Sequence, residues 1–174
     1  MKKKSSSKKR ISKTVRPSDR RDKSLRDHLL YLLKGGGAHF SFDDAMGDWT
    51  FELAGVKVAN FPHTAWMLVE HMRLAQWDIL DFSRDSKHVS PPWPEGYWLA
   101  SATPPDERAW TASMSAFKKD LRTMERLVSD RRVDLYAPIP WGDGETILRE
   151  ALLLADHNAY HLGQLVMLRK SIGK

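Results

Sequence analysis

The stretch Ala155-Asp156-His157-Asn158-Ala159-Tyr160-His161-Leu162-Gly163-Gln164 places two histidines four residues apart inside a strongly helical run. A helical turn takes about 3.6 residues, so His157 and His161 project from one face and their imidazoles can converge on a single point. That is the geometry of two metal ligands. Imidazole suits zinc, nickel, iron and copper, and a tetrahedral or octahedral site needs at least one further ligand from elsewhere in the chain. The run itself is long. Ile147, Leu148, Ala151, Leu154 and Leu165 recur at helical spacing, Thr146 or a neighbour is placed to cap it, and it extends to about Ser171.

Working back from this helix, the chain alternates apolar helical stretches with punctuated loops. A helix is expected from Asp106 to Ser129, preceded by a crossover over 85–105 that contains Ser90-Pro91-Pro92-Trp93-Pro94-Glu95-Gly96-Tyr97-Trp98. Prolines forbid a long regular element there, while Trp93, Tyr97 and Trp98 are costly to leave in water, so the segment is expected to pack over the helices as a lid. Asn60-Phe61-Pro62 opens a helix to about Phe82, whose apolar positions from Ala65 to Leu80 cover a broad face. His39 to Leu53 reads as a loop and short helix capped by Ser41 or Asp43, and a first helix runs from Ser24 to about Lys34 before Gly35-Gly36-Gly37. The loop over 130–144 carries Pro138-Ile139-Pro140-Trp141-Gly142. No alternating strand pattern and no internal repeat is visible. The expected fold is all-α, a four-helix bundle with long crossover loops, and bundles build metal sites from side chains on facing helices.

Of the seven histidines, the five outside the pair compete for the third ligand position. His28 has polar neighbours in the first helix, His39 and His88 lie in or beside loops, and His63 falls in the first turn of a helix, an ordinary place for a polar residue. His71 lies mid-helix among Leu68, Val69, Met72 and Leu74, at the spacing of a core face, and is the best candidate. Neutral imidazoles on apolar faces each need a buried partner, and a shared metal answers that need. A zinc peptidase would carry glutamate directly after the first histidine of the pair, as general base; here that position is Asn158, which disfavours that mechanism. Other polar residues near the expected site are Glu70 and Asp78 on one helix, and Arg149, Glu150, Asp156 and Gln164 on the other. Asp78 more commonly pairs with an arginine of another helix, Arg149 and Glu150 with each other, and Glu70 or Asp156 could orient a ligand imidazole.

Composition narrows the classes. With no cysteine among 174 residues, neither disulfides nor thiolate ligands are available, and any metal is held by nitrogen and oxygen. The net charge of +6 divides unevenly: residues 1 to 23 carry 11 Lys and Arg against Asp19 and Asp22, a net of +9, and the remainder carries 17 basic and 20 acidic residues. The basicity therefore belongs to an expected disordered arm over 1–23, with a single domain over 24–174. A nucleic-acid partner is not expected beyond weak contact through that arm. No apolar run approaches the roughly 18 residues of a membrane span, and no apolar segment follows the N-terminal charges, so a cytoplasmic protein is the expectation.

The residues Trp66-Met67-Leu68-Val69-Glu70-His71-Met72-Arg73-Leu74-Ala75-Gln76-Trp77-Asp78 and Asp156 to Gln164 resemble the DinB-like family of metal-binding four-helix bundles, related to bacillithiol transferases and thiol-dependent maleylpyruvate isomerases. The resemblance covers residues 24 to 172 and maps the family's three histidine ligands onto His71, His157 and His161. It implies a divalent metal, zinc or nickel, a low-molecular-weight thiol or other small-molecule substrate, a homodimer, and thiol transfer or hydrolysis as the activity. The basic arm departs from the family's usual start. A metal-binding or stress-response bundle without turnover is the alternative.

Overall fold

A computed structural model describes residues 17–35 and 37–174; most of the expected basic arm, residues 1–16, lies outside them, as does Gly36. The described residues are all-helical: α1 (Pro17–Lys34), α2 (Phe42–Met46), α3 (Phe51–Ala54), α4 (Ala65–Phe82), α5 (Glu107–Ser129) and α6 (Ile147–Ser171), with a 3-10 turn at Glu95–Tyr97. An isolated bridge between Pro138 and Thr146 is the one extended pairing among them. No helix among the described residues is long and apolar enough to cross a membrane.

Side-chain caps fix where the helices start. Thr64, Asp106 and Thr146 each accept a hydrogen bond from the backbone three residues on, satisfying a donor that the first turn leaves unpaired. Ser41 and Asp44 form a reciprocal capping box on α2. Asp43 has no part in that cap.

Two boundaries differ from expectation. Helix α1 begins at Pro17, so residues 17–23, assigned to the arm on charge, are helical. Pro17 suits a first helical position, and Asp22 on the next turn accepts from the Arg26 guanidinium at 2.9 Å. Helix α4 starts at Ala65, three residues past Pro62. Asn60 sits at φ 67, in the left-handed region that ends rather than starts a helix, and Thr64 supplies a better cap. His63 consequently lies ahead of α4, outside its first turn.

The four long helices pack on one another: α4 lies against both α5 and α6, and α1 crosses α5 and α6. Their apolar faces make two adjoining clusters. One gathers Trp66, Met72, Phe117 and Leu165 with Phe42 of α2, whose ring stacks on Phe117 at 4.1 Å. The other joins Leu29 and Leu33 of α1 to Leu80, Met124, Leu154 and, from the loop over 130–144, Leu135 and Ile139. Each fully buried aliphatic or aromatic side chain contributes about 1.5–3 kcal/mol.

Buried polar groups pin the loops to these clusters. Arg26, 6 % exposed, donates to the carbonyls of Val128, Asp130 and Val133, tying α1 to the chain leaving α5. The indole N–H of Trp141 donates to the Phe82 carbonyl at 2.7 Å. The crossover is fastened through Asp78, which accepts from the Tyr97 hydroxyl at 2.7 Å and lies 2.6 Å from His88 Nε2. Asp78 thus meets two crossover residues, and the arginine expected as its partner is not among them. Tyr97 is buried as foreseen, Trp98 is half-buried, and Trp93, expected to pack down, is 72 % exposed.

Candidate metal centre

The third and fourth turns of α6 face the middle of α4, and this brings His71, His157 and His161 together. One nitrogen from each lies within 4.8 Å of the others. His71 is 2 % and His161 5 % exposed, and His157 is half-buried, so the cluster opens on the His157 side.

Hydrogen bonds decide which nitrogens face inward. His71 Nδ1–H donates to the backbone carbonyl of Tyr97 at 3.1 Å, leaving its Nε2 lone pair free. His161 Nδ1–H donates to the amide oxygen of Gln164 at 2.9 Å, with the same result. Nε2 of His157 lies 3.1 Å from Nε2 of His71. Two imidazole nitrogens bound to one tetrahedral zinc are about 3.3 Å apart, because each sits about 2.0–2.1 Å from the ion. The pair is therefore already close to the separation that a shared cation requires.

Burial favours the neutral imidazoles that ligation needs. It lowers the His71 pKa to about 4, against a smaller opposing effect from the Tyr97 carbonyl. It lowers His157 to about 3, reinforced by the neighbouring His161 and His71, and it lowers His161 as well. A divalent cation that accepts three nitrogen lone pairs fits this donor set.

The triad forms the floor of a cavity of about 500 Å³ between the crossover and α6. Trp98 stacks on His71 with ring centroids 3.8 Å apart and on His63 at 4.0 Å. Two rings that close to one indole cannot share a face, so His63 and His71 lie on opposite sides of Trp98. His63, set aside in the sequence as a helix-end residue, lines the cavity. Its Nδ1 is buried and has no hydrogen-bond partner among the described residues, and burial lowers its pKa. The signal that could have found it is Thr64, whose strength as a cap moves the helix start past His63.

The remaining sequence candidates divide. Asp156 and Gln164 line the cavity, Gln164 as the orienting partner of His161. Glu70 points away, into a buried group with Arg73, at 2.7 Å, and Ser113. Burial pushes the Glu70 carboxyl up, but these partners together hold it below the ordinary range. The group that orients His71 is instead a main-chain carbonyl, which no side-chain pattern could reveal. Arg149 and Glu150 pair at 2.7 Å, and burial raises the Glu150 carboxyl. Asn158 turns inward and donates to Gln76 at 3.0 Å, and Gln76 in turn donates to the Phe117 carbonyl. His28 and His39 are exposed and stand apart from the triad.

Comparison with family models, curated proteins and solved structures gave no match. The functional reading therefore rests on the site itself.

Proposed function

We propose that this protein is a metal-dependent enzyme of the DinB-like type, a four-helix bundle that holds a divalent ion through His71, His157 and His161. The supporting observation is the convergence of three imidazole nitrogens within 4.8 Å at the floor of an open cavity. Three protein ligands leave room for a fourth, the arrangement of catalytic rather than closed structural sites. When bound, such an ion supplies Lewis acidity, which lowers the pKa of water to about 7 or holds a thiolate ready to attack. Zinc or nickel suits an all-imidazole donor set.

The chain's own residues prepare that chemistry. The Tyr97 carbonyl and Gln164 set the tautomers of His71 and His161, Trp98 covers the face of His71 and excludes water from it, and the cavity admits a small molecule beside the triad. Thiol transfer and hydrolysis are the two reactions the reading accommodates. A second reading, metal binding without turnover, draws on Asn158: the position that carries the general base in zinc peptidases is occupied by an amide committed to Gln76.

The test is elemental analysis of protein purified without added metal, beside a His157→Ala variant. About one equivalent of metal per chain is expected in the parent and little in the variant. Equal metal in both would overturn the centre. Turnover of low-molecular-weight thiols with electrophiles by the loaded protein then separates the enzyme from the binding protein.

A further inference from the structure

The cavity wall above the triad has an uneven chemistry. Beyond the histidines and Gln164 it is built from Trp93, Trp98, Tyr160, Pro62 and Asp156, and among the described residues it includes no Lys or Arg. Asp156 is its one formal charge. The carboxylate is exposed, and among the described residues no cation lies within ion-pair distance of it. Among the described residues, an anionic substrate group would find no positive partner on this wall.

Two exposed rings line the cavity from different elements. Trp93 comes from the crossover and Tyr160 from α6, and they are 72 % and 65 % exposed. Within the protein, Trp93 meets the Tyr97 ring at 5.4 Å in a tilted contact and Tyr160 meets the His161 ring at 4.8 Å edge-on. Their exposure leaves ring surface available to a ligand. Tyr160 stands one turn beyond Asp156 on α6, so its ring and the carboxylate share a stripe of the helix. Aromatic faces with a nearby carboxylate attract organic cations, because the ring quadrupole and the negative charge act in the same direction.

We propose that the cavity takes a ligand with two unlike ends, an anionic donor for the metal and an ammonium-type cation held by Asp156 with the rings of Trp93 and Tyr160. This rests on the metal reading above and adds the charge of the substrate. With the anionic donor on a divalent ion and Asp156 nearby, the local charges cancel, and the cation's contacts decide the selectivity.

Three two-carbon thiols that differ only in their far end test it: thiocholine, its neutral carbon analogue 3,3-dimethylbutane-1-thiol, and 2-mercaptoethanesulfonate. None of the three far ends is a good metal ligand. Affinities are read on cobalt-loaded protein from the thiolate-to-cobalt absorption and corrected for the thiolate fraction of each compound. Thiocholine should bind about tenfold more tightly than the neutral analogue, and the sulfonate most weakly. Asp156→Asn should cut the thiocholine preference to about threefold or less, and Trp93→Leu should also reduce it. Both positions are exposed, so neither change threatens folding. Equal affinities in the parent, or a preference that survives Asp156→Asn, would overturn the proposal alone. Failure of the protein to take up cobalt would overturn the metal centre, and this proposal with it.

Discussion

At the scale of single residues, the histidines of the centre carry a folding cost that pH should expose. In the unfolded chain they take up protons near 6.5, whereas in the fold burial holds His71 at about 4 and His157 at about 3. Between those limits the unfolded chain binds more protons than the native one, so native stability must fall as pH falls. Their contribution is fully present above pH 6.5 and is lost on descent toward pH 3–4. Metal-free protein should therefore melt at a lower temperature at pH 5 than at pH 7.5, and the gap should narrow in His157→Ala. An unchanged gap, measured by circular dichroism, would mean that the imidazoles are not neutral by burial. The sequence made the triad legible because its signals are local: a four-residue spacing for His157 and His161, and apolar neighbours for His71. It could not show the Tyr97 carbonyl or the stacking of His63 on Trp98, since both depend on how the crossover returns to α4.

At the scale of elements, helix ends were readable where a side chain caps them. The sequence offers Ser41 or Asp43 for α2 and Thr146 or a neighbour for α6, and the structure selects the hydroxyl in each case, since a hydroxyl ahead of an apolar run has one strong use. The start of α1 is hidden in the sequence because the charge composition of residues 17–23 masks local helix signals such as the Asp22–Arg26 spacing. The structural weight of Arg26 was also hidden, because its three carbonyl acceptors lie more than a hundred residues away. Replacing it leaves those carbonyls without their donor in a site that water reaches poorly. Arg26→Met should lower the unfolding free energy by about 2–4 kcal/mol in urea denaturation. A loss below about 0.5 kcal/mol would show that water replaces the guanidinium freely.

At the scale of the whole molecule, the four long helices bury the shared clusters, while residues 1–16 lie outside the described fold. Removal of residues 1–16 is expected to leave the melting temperature and metal content unchanged. Removal of residues 1–23 should not be neutral, because it takes the first seven residues of α1 and the Asp22 partner of Arg26. A fall in melting temperature between the two truncations locates the true domain start; equal stability would return residues 17–23 to the arm.

The crossover reaches the centre through one short stretch. Tyr97 bonds to His71 through its carbonyl and to Asp78 through its hydroxyl, whose pKa burial and that carboxylate push up to about 12, so it stays a donor. Trp98 follows at once with its ring on His71. The segment cannot lift away without giving up the hydrogen bond and the stacking that orient His71. On the proposed reading, a metal that favours this orientation of His71 would favour the packed crossover by the same factor, as linkage requires. A small molecule that displaces this stretch would therefore also disturb the arrangement of the three imidazoles beneath it.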